Sequence, residues 1–368
     1  MKKFICLFLS LGMLAFFAPS ARAAAEAICV TDASSGEVVY ESNAYARLPM
    51  ASTTKIMTAL TALENSSVSD IVTVSQNAAN QEGSSAYLYA GDELTMLDLL
   101  YGLMLNSGND AAVAIAEHIA GDADSFADMM NEKAREIGAS DTHFTNPNGL
   151  PADGHYTTAY DLALIAGYAM QNEDFRTVVS AKSAEAHIIN TGRTIEYYNH
   201  NKLLSTYDGC IGIKTGYTKA AGRCLVSAAE RDNMTFIAVT LNDPDDWQDH
   251  KSLLDGCFSN YSAAAAVTGG DNADSGGSMV YAEDFYVTAK NGAEPDIEIE
   301  NHMPSALEAP VNAGEKVGYA EIFKNGALVG AVDILAAKSV YLTESEAPRN
   351  ETRALYGRFL NILRLFLL

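Results

Sequence analysis

A serine followed three residues later by a lysine, in Ser52-Thr53-Thr54-Lys55, is the first pairing in this chain with the reach for covalent chemistry. Side chains at i and i+3 meet on one face of a helix. A serine hydroxyl is a weak nucleophile until a neighbouring base takes its proton. A lysine amine serves as that base when it is uncharged, and burial or a second cation drives it that way. Two further runs supply partners, Ser107-Gly108-Asn109 and Lys214-Thr215-Gly216. Lys214 is the second cation, Ser107 is a hydroxyl able to bridge two amines, and a helix N-terminus at Ser52 adds positive potential where an oxyanion would form. Acyl transfer through a serine ester is the chemistry these groups share. Each run also has a plain reading, as a helix cap with a solvated lysine, a turn, and a strand end. Their order and their placement favour the joint one.

The elements that must position them follow from local pattern. Ile56, Met57 and Leu60 come at helical spacing, so a helix opens at Ser52. Leu94–Leu105 and Asp110–Ala120 read as helices on either side of Asn106-Ser107-Gly108-Asn109. More helices are expected at Ser125–Ile137, Tyr160–Met170 and about Asp246–Tyr261. Thr142 to Thr158 is rich in Asn, Pro and Gly and reads as a long surface loop. Ile211 and Ile213 alternate with Gly212 and Lys214, which puts Lys214 on one sheet face with Gly212 and Gly216. Two glycines beside a lysine leave room for a ligand to approach the strand. Cys210–Tyr217, Cys224–Ala229 and Thr235–Leu241 predict an antiparallel meander, and Ile28-Cys29-Val30 with Val38-Val39-Tyr40 predicts an N-terminal hairpin around Asp32–Gly36. Helices between these ends imply a mixed α/β layer architecture whose sheet draws on both.

At 368 residues the chain exceeds what one core usually holds, so two domains are expected. Lys2 and Lys3, an apolar run from Phe4 to about Pro19, and Ala21-Arg22-Ala23 together read as a signal peptide over residues 1–23. Its removal takes away three basic residues from 24 and none of the 47 acidic ones, which moves the net charge from −23 to −26. Such a surface repels nucleic acid, so that partner class is excluded. Cys29, Cys210, Cys224 and Cys257 remain, an even number that permits disulfides without fixing a pairing. The seven histidines form neither H-E-x-x-H nor a compact cluster, so no metal site is expected. Residues 24–262 are assigned to a catalytic domain and 263–278, rich in Ala, Gly, Ser and Asp, to a linker. Residues 279–345 show short alternating strands such as Val317–Phe323 and Ala327–Leu335, which predict a small all-β domain. Over 349–368, four arginines oppose Glu351 alone, while Leu355, Phe359, Ile362, Leu363 and Phe366 share a helical face. That pattern predicts an amphipathic helix lying in a membrane interface.

The three motifs are the set found in penicillin-binding proteins and class A β-lactamases, with Ser-Gly-Asn here for Ser-Asp-Asn. In their longer contexts, Pro49–Thr58, Asn106–Ala111 and Ile213–Thr218, the chain resembles the low-molecular-mass D-alanyl-D-alanine carboxypeptidases over roughly residues 27–340. The resemblance implies a transpeptidase-like catalytic domain of mixed antiparallel sheet with helices, a β-rich stalk and a terminal anchor helix. It implies that Ser52 attacks the carbonyl between the last two D-alanines of a peptidoglycan stem peptide, with Lys55 as general base and Ser107 relaying a proton to the leaving amine. Asn109 would hold the substrate amide, Lys214 and Thr215 the terminal carboxylate beside Gly216, and the N–H groups of Ser52 and Tyr217 the oxyanion. β-Lactams would trap Ser52 as an ester, no cofactor would be needed, and the protein would work outside the cytoplasmic membrane. Two positions depart from the family. Asn148-Gly149-Leu150 stands where several members carry His-Gly-Leu, and the arginine that some place before the last catalytic-domain helix is missing, leaving Arg223 as a candidate substitute. A D,D-endopeptidase, a β-lactamase, or a silent wall-binding module would use the same residues differently.

Overall fold

The structure, a computed structural model, describes residues 25–341. The expected signal peptide and amphipathic helix lie outside the described residues.

In chain order the first elements are β1 (Ala27–Asp32), β2 (Val38–Ser42), a 3-10 turn (Ala51–Thr54) that runs into α1 (Lys55–Asn65), β3 (Ile71–Thr73), α2 (Gln76–Ala79), β4 (Glu93–Thr95), α3 (Met96–Met104), α4 (Asn109–Ala120), α5 (Ala123–Ile137), α6 (Ala159–Ala169) and α7 (Glu173–Ser180). Then come β5 (Ser183–His187), β6 (Thr194–Tyr198), α8 (Leu203–Thr206), β7 (Cys210–Thr218), β8 (Gly222–Arg231), β9 (Met234–Leu241) and α9 (Asp246–Asn260). The last are β10 (Tyr261–Val267), β11 (Met279–Tyr281), β12 (Phe285–Lys290), β13 (Ile297–His302), β14 (Lys316–Lys324) and β15 (Ala327–Ala336).

One sheet has the order β2-β1-β9-β8-β7, so it does draw on both ends of the sequence, with helices supplied by the middle. Asp232 and Asn233, the two residues between β8 and β9, have φ of 49° and 61°. Two successive left-handed residues make the tight turn whose twist matches the strands it joins. α4 packs against α1, α3 and α5. Its residues Asn109–Ala116 are all buried, and the small side chains of Ala-Ala-Val-Ala-Ile-Ala let neighbours approach on every side.

The chain divides into two compact units. One comprises Tyr40–Ala228 and Ile237–Leu253 with the N-terminal stretch ending at Val30. The other comprises the described residues from Leu254 on with Thr31–Val39 and Ala229–Phe236. This second unit holds a four-stranded sheet, β11-β15-β14-β13, and the pair β10-β12. Val267, Val287, Ile322, Val329 and Val332 form one of its cores, and Met279, Ala320 and Ile334 lie in another. Asn325 and Gly326, with φ of 52° and 78°, close the β14–β15 hairpin.

Two expectations need correction. The run expected as a linker over 263–278 opens inside β10, where Ala263 pairs with Thr288 and Ala264 with Val287. Small residues suit a strand as well as a linker when a partner strand satisfies their backbone. The stretch 142–158 is irregular as expected but is a surface loop only in part: residues 151–154 are exposed, whereas Phe144, Asn148, His155, Thr157 and Thr158 are buried. No disulfide forms among the described residues. All four cysteines there are free, and burial raises the Cys29, Cys224 and Cys257 thiols to about 12, 11 and 11.

Candidate active site

The backbone at Ser52 is set by the residues around it. Ala51 is left-handed, with φ 49°, and turns the chain from the extended run at Leu48 into the helix. The Thr53 hydroxyl donates to the Met50 carbonyl at 2.6 Å and the Thr54 hydroxyl to the Ala51 carbonyl at 2.8 Å. These side-chain-to-backbone bonds tie both threonines to the turn that opens the helix.

Lys55 is completely buried and its Nζ meets three oxygens: Ser52 Oγ at 3.2 Å, Asn109 Oδ1 at 2.7 Å and the Asn148 carbonyl at 2.5 Å. Burial first, and then the charge of Lys214, holds this amine well below the ordinary lysine range, while Asp110 opposes the shift. Asn109 is itself fixed from behind, since its Nδ2 donates to the Glu82 carbonyl at 2.6 Å. The break before α4 is stitched to the segment at 84–88. Asn109 N–H donates to the Ser84 carbonyl, Asn106 Nδ2 to the Ser85 carbonyl, and Asp110 accepts from Ser85 Oγ and from the N–H groups of Ala86 and Leu88. A Cβ on Gly108 would stand 2.7 Å from Ala86 Cβ, so only glycine lets these two segments touch. Ser107 sits in that break, buried and left-handed at φ 60°. Among the described residues no hydrogen bond joins it to Ser52, Lys55 or Lys214.

β7 brings the third group. Lys214 is 1% exposed, its Nζ donates to the Thr215 carbonyl at 3.1 Å, and burial lowers its pKa to about 7. Gly216 lies against the 3-10 turn: a Cβ there would be 3.1 Å from both Ser52 N and Thr53 N. Tyr217 follows, 66% exposed. Ser52, Lys55 and Asn109 are therefore joined directly, Lys214 reaches Lys55 through its charge, and Gly216 abuts the Ser52 backbone. Thr215 and Tyr217 take their places beside them along the strand.

Two contributors were not legible as motifs. Asn148, at the position where several family members carry a histidine, contributes its carbonyl to Lys55, while its side chain bonds Gln81 and the Leu150 N–H. A backbone oxygen leaves no residue-type signal. His155, which belongs to none of the three motifs, is buried and bonded to Thr54. Arg223, the candidate carboxylate binder, instead pairs with Asp246 at 2.7 Å in the first unit. One grouping of potential metal-ligating atoms occurs among the described residues, Glu300, His302 and Glu321 in the second unit. It is exposed on β13 and β14, and His302 there already pairs with Glu321 at 2.9 Å.

Comparison with known proteins identifies the family and the fold. Residues 15–245 match the family described as D-alanyl-D-alanine carboxypeptidase, and residues 269–341 match the C-terminal domain of penicillin-binding protein 5. The chain is 32% identical over 370 residues to the D-alanyl-D-alanine carboxypeptidase DacF of Bacillus subtilis, covering 92% of this chain and 95% of that one. The solved structure of DacD from Francisella tularensis superposes with a TM-score of 0.63 at 28% identity, covering 93% of this chain and 98% of that one. A Streptomyces K15 structure described as a DD-transpeptidase gives 0.61 at 36% identity, over 64% of this chain and 98% of that one. The fold class and the family read from the three motifs are thus both borne out.

Proposed function

The chain belongs to the D-alanyl-D-alanine carboxypeptidase family, and on that premise we propose which of its residues carry the reaction. The protein is a serine-type peptidase that removes the terminal D-alanine of peptidoglycan stem peptides through an acyl-enzyme, and β-lactams bind at the same site. In our reading Ser52 is the nucleophile. Its Oγ bonds to the carbonyl carbon between the two D-alanines while its proton passes to Lys55 Nζ. The N–H groups of Ser52 and Tyr217 hold the oxyanion. The C–N bond then breaks, and the leaving amine takes a proton that returns from Lys55 by way of Ser107. Water attacks the ester and frees the shortened peptide and Ser52. Lys214 and Thr215 bind the terminal carboxylate, Asn109 holds the substrate amide while it orients Lys55, and Gly216 keeps β7 close enough for both jobs.

The surroundings of Lys55 carry the assignment. A neutral amine has two N–H bonds and one lone pair. The Asn109 and Asn148 oxygens, at 2.7 and 2.5 Å, take the two bonds, so the lone pair faces the Ser52 hydroxyl at 3.2 Å. Burial and Lys214 favour that neutral form. An ammonium would be equally well bonded but could accept nothing.

We also infer export through residues 1–23 and attachment to the outer face of the membrane through residues 349–368, on the charge and apolar pattern alone. The decisive assay is D-alanine release from a pentapeptide ending in D-Ala-D-Ala. Wild type is expected to release it, with Ser52→Ala and Lys55→Gln lower by on the order of 10³-fold or more. Release by Ser52→Ala at the wild-type rate would remove Ser52 from the mechanism.

A further inference from the structure

The reaction as written makes no use of His155, although this imidazole is 7% exposed and lies one hydrogen bond from the catalytic turn. Its tautomer follows from its partners. Nδ1 accepts the Thr145 N–H at 3.1 Å, so the ring proton is on Nε2 and is donated to Thr54 Oγ1 at 2.8 Å. Thr54 Oγ1 in turn donates to the Ala51 carbonyl at 2.8 Å. The chain of bonds therefore runs from the 142–158 segment to one oxygen, and that oxygen belongs to the peptide whose nitrogen is Ser52 N. The Ala51–Ser52 bond is trans, so its C=O and N–H point in opposite directions. Two glycines flank this one peptide unit. A Cβ on Gly149 would stand 2.0 Å from the Ala51 oxygen, and a Cβ on Gly216 would stand 3.1 Å from Ser52 N. No acceptor among the described residues engages the Ser52 N–H, which leaves that donor available for a ligand. Burial, and after it the charges of His143 and Lys55, lowers His155 to about 4 and keeps the ring neutral, as the bond from Thr145 N–H requires.

The geometry points to His155 as a positioning residue that acts through Thr54: it fixes the Ala51 carbonyl and thereby aims the Ser52 N–H at the oxyanion. Ala51 needs such fixing because a left-handed alanine would relax to an ordinary conformation if its oxygen were released. The inference rests on the reading of Ser52 as nucleophile and of its N–H as an oxyanion donor.

The test measures the second-order rate of acylation by a fluorescent penicillin, kcat and KM for D-alanine release, and Tm. It uses wild type, Ser52→Ala, His155→Ala, Thr54→Val, the double variant His155→Ala/Thr54→Val, and Thr54→Ser. His155→Ala and Thr54→Val are each expected to slow acylation by about 10- to 100-fold, since a misdirected oxyanion donor costs part of what a deleted one does. The loss should fall on kcat rather than KM. The double variant should be no slower than the worse single one, because both act on one chain of bonds. Thr54→Ser, which keeps the hydroxyl, should restore the rate. A folded Thr54→Val protein that acylates at the wild-type rate would overturn the inference. So would losses that multiply in the double variant, or that appear in Tm alone. Wild type that fails to label at Ser52 would instead remove the underlying assignment, and the inference with it.

Discussion

Lys55 and Lys214 show what burial does to a pair of like charges. Burial pushes both amines toward neutrality, and for Lys55 the charge of Lys214 adds to the effect while Asp110 opposes it. A dependence of stability on pH follows. Unfolded, the Lys214 amine keeps its proton up to about pH 10. Folded, it sheds it above about 7. Between those values the unfolded chain binds more protons, so stability rises with pH; below 7 the cost of the buried cation is felt in full. Lys214→Met should therefore raise Tm more at pH 6 than at pH 9, as thermal unfolding at the two values would show. An equal shift at both would mean that Lys214 is not depressed. At this scale the motifs were legible because each chemistry needs a particular side chain at a particular spacing. The Asn148 carbonyl was not, since any residue can present it, and neither was the commitment of Asn109 to Lys55 and Glu82, which depends on how two distant segments meet.

Helices and strands were read well where a long enough run of apolar residues is bounded by clear turn or cap residues, whether one face or nearly all of the element is buried. α4, α5, α6, β7, β8 and β9 all fall within a few residues of their expected limits. The stretch 142–158 misled because its Asn, Pro and Gly are the chemistry of exposed turns. Here those groups satisfy one another and the active-site helix instead: Asn146 Oδ1 accepts the Gly149 N–H, Asn148 Oδ1 accepts the Leu150 N–H, and the Pro147 carbonyl accepts the Thr58 hydroxyl. Composition cannot tell a polar segment that faces water from one that faces a site. The tightest point of this segment is Gly149, with φ 85° and a Cβ position 2.0 Å from the Ala51 oxygen. Gly149→Ala is expected to destabilise by about 2 kcal/mol or more, from left-handed strain plus the clash, and to slow acylation in whatever folds. Urea unfolding beside an acylation assay checks both. Unchanged stability would show that the segment is not held against Ala51.

For the molecule as a whole, charge and chain ends argue together. The formal net charge is −23, yet the last twenty residues carry four arginines against one acid. A protein that is acidic elsewhere and basic at one end suits attachment to anionic lipid by that end. A chain stopped after Tyr341 should lose binding to vesicles containing anionic lipid, in co-sedimentation at low and high salt, while it keeps its acylation rate. Retained binding would place the membrane contact elsewhere. The two-part build, a mixed α/β sheet with helices and then a β-rich unit, was legible from the change in periodicity near residue 279. The β10–β12 pairing was hidden, because an alanine-rich strand owes its conformation to the neighbour it bonds. The central claim, that a buried amine frees one serine to become an ester, is tested most directly by intact-protein and peptide mass spectrometry after exposure to benzylpenicillin. One adduct is expected, on the peptide containing Ser52, absent from Ser52→Ala and slowed by orders of magnitude in Lys55→Gln. An adduct on any other residue, or one that persists at full rate without the lysine, would contradict the account.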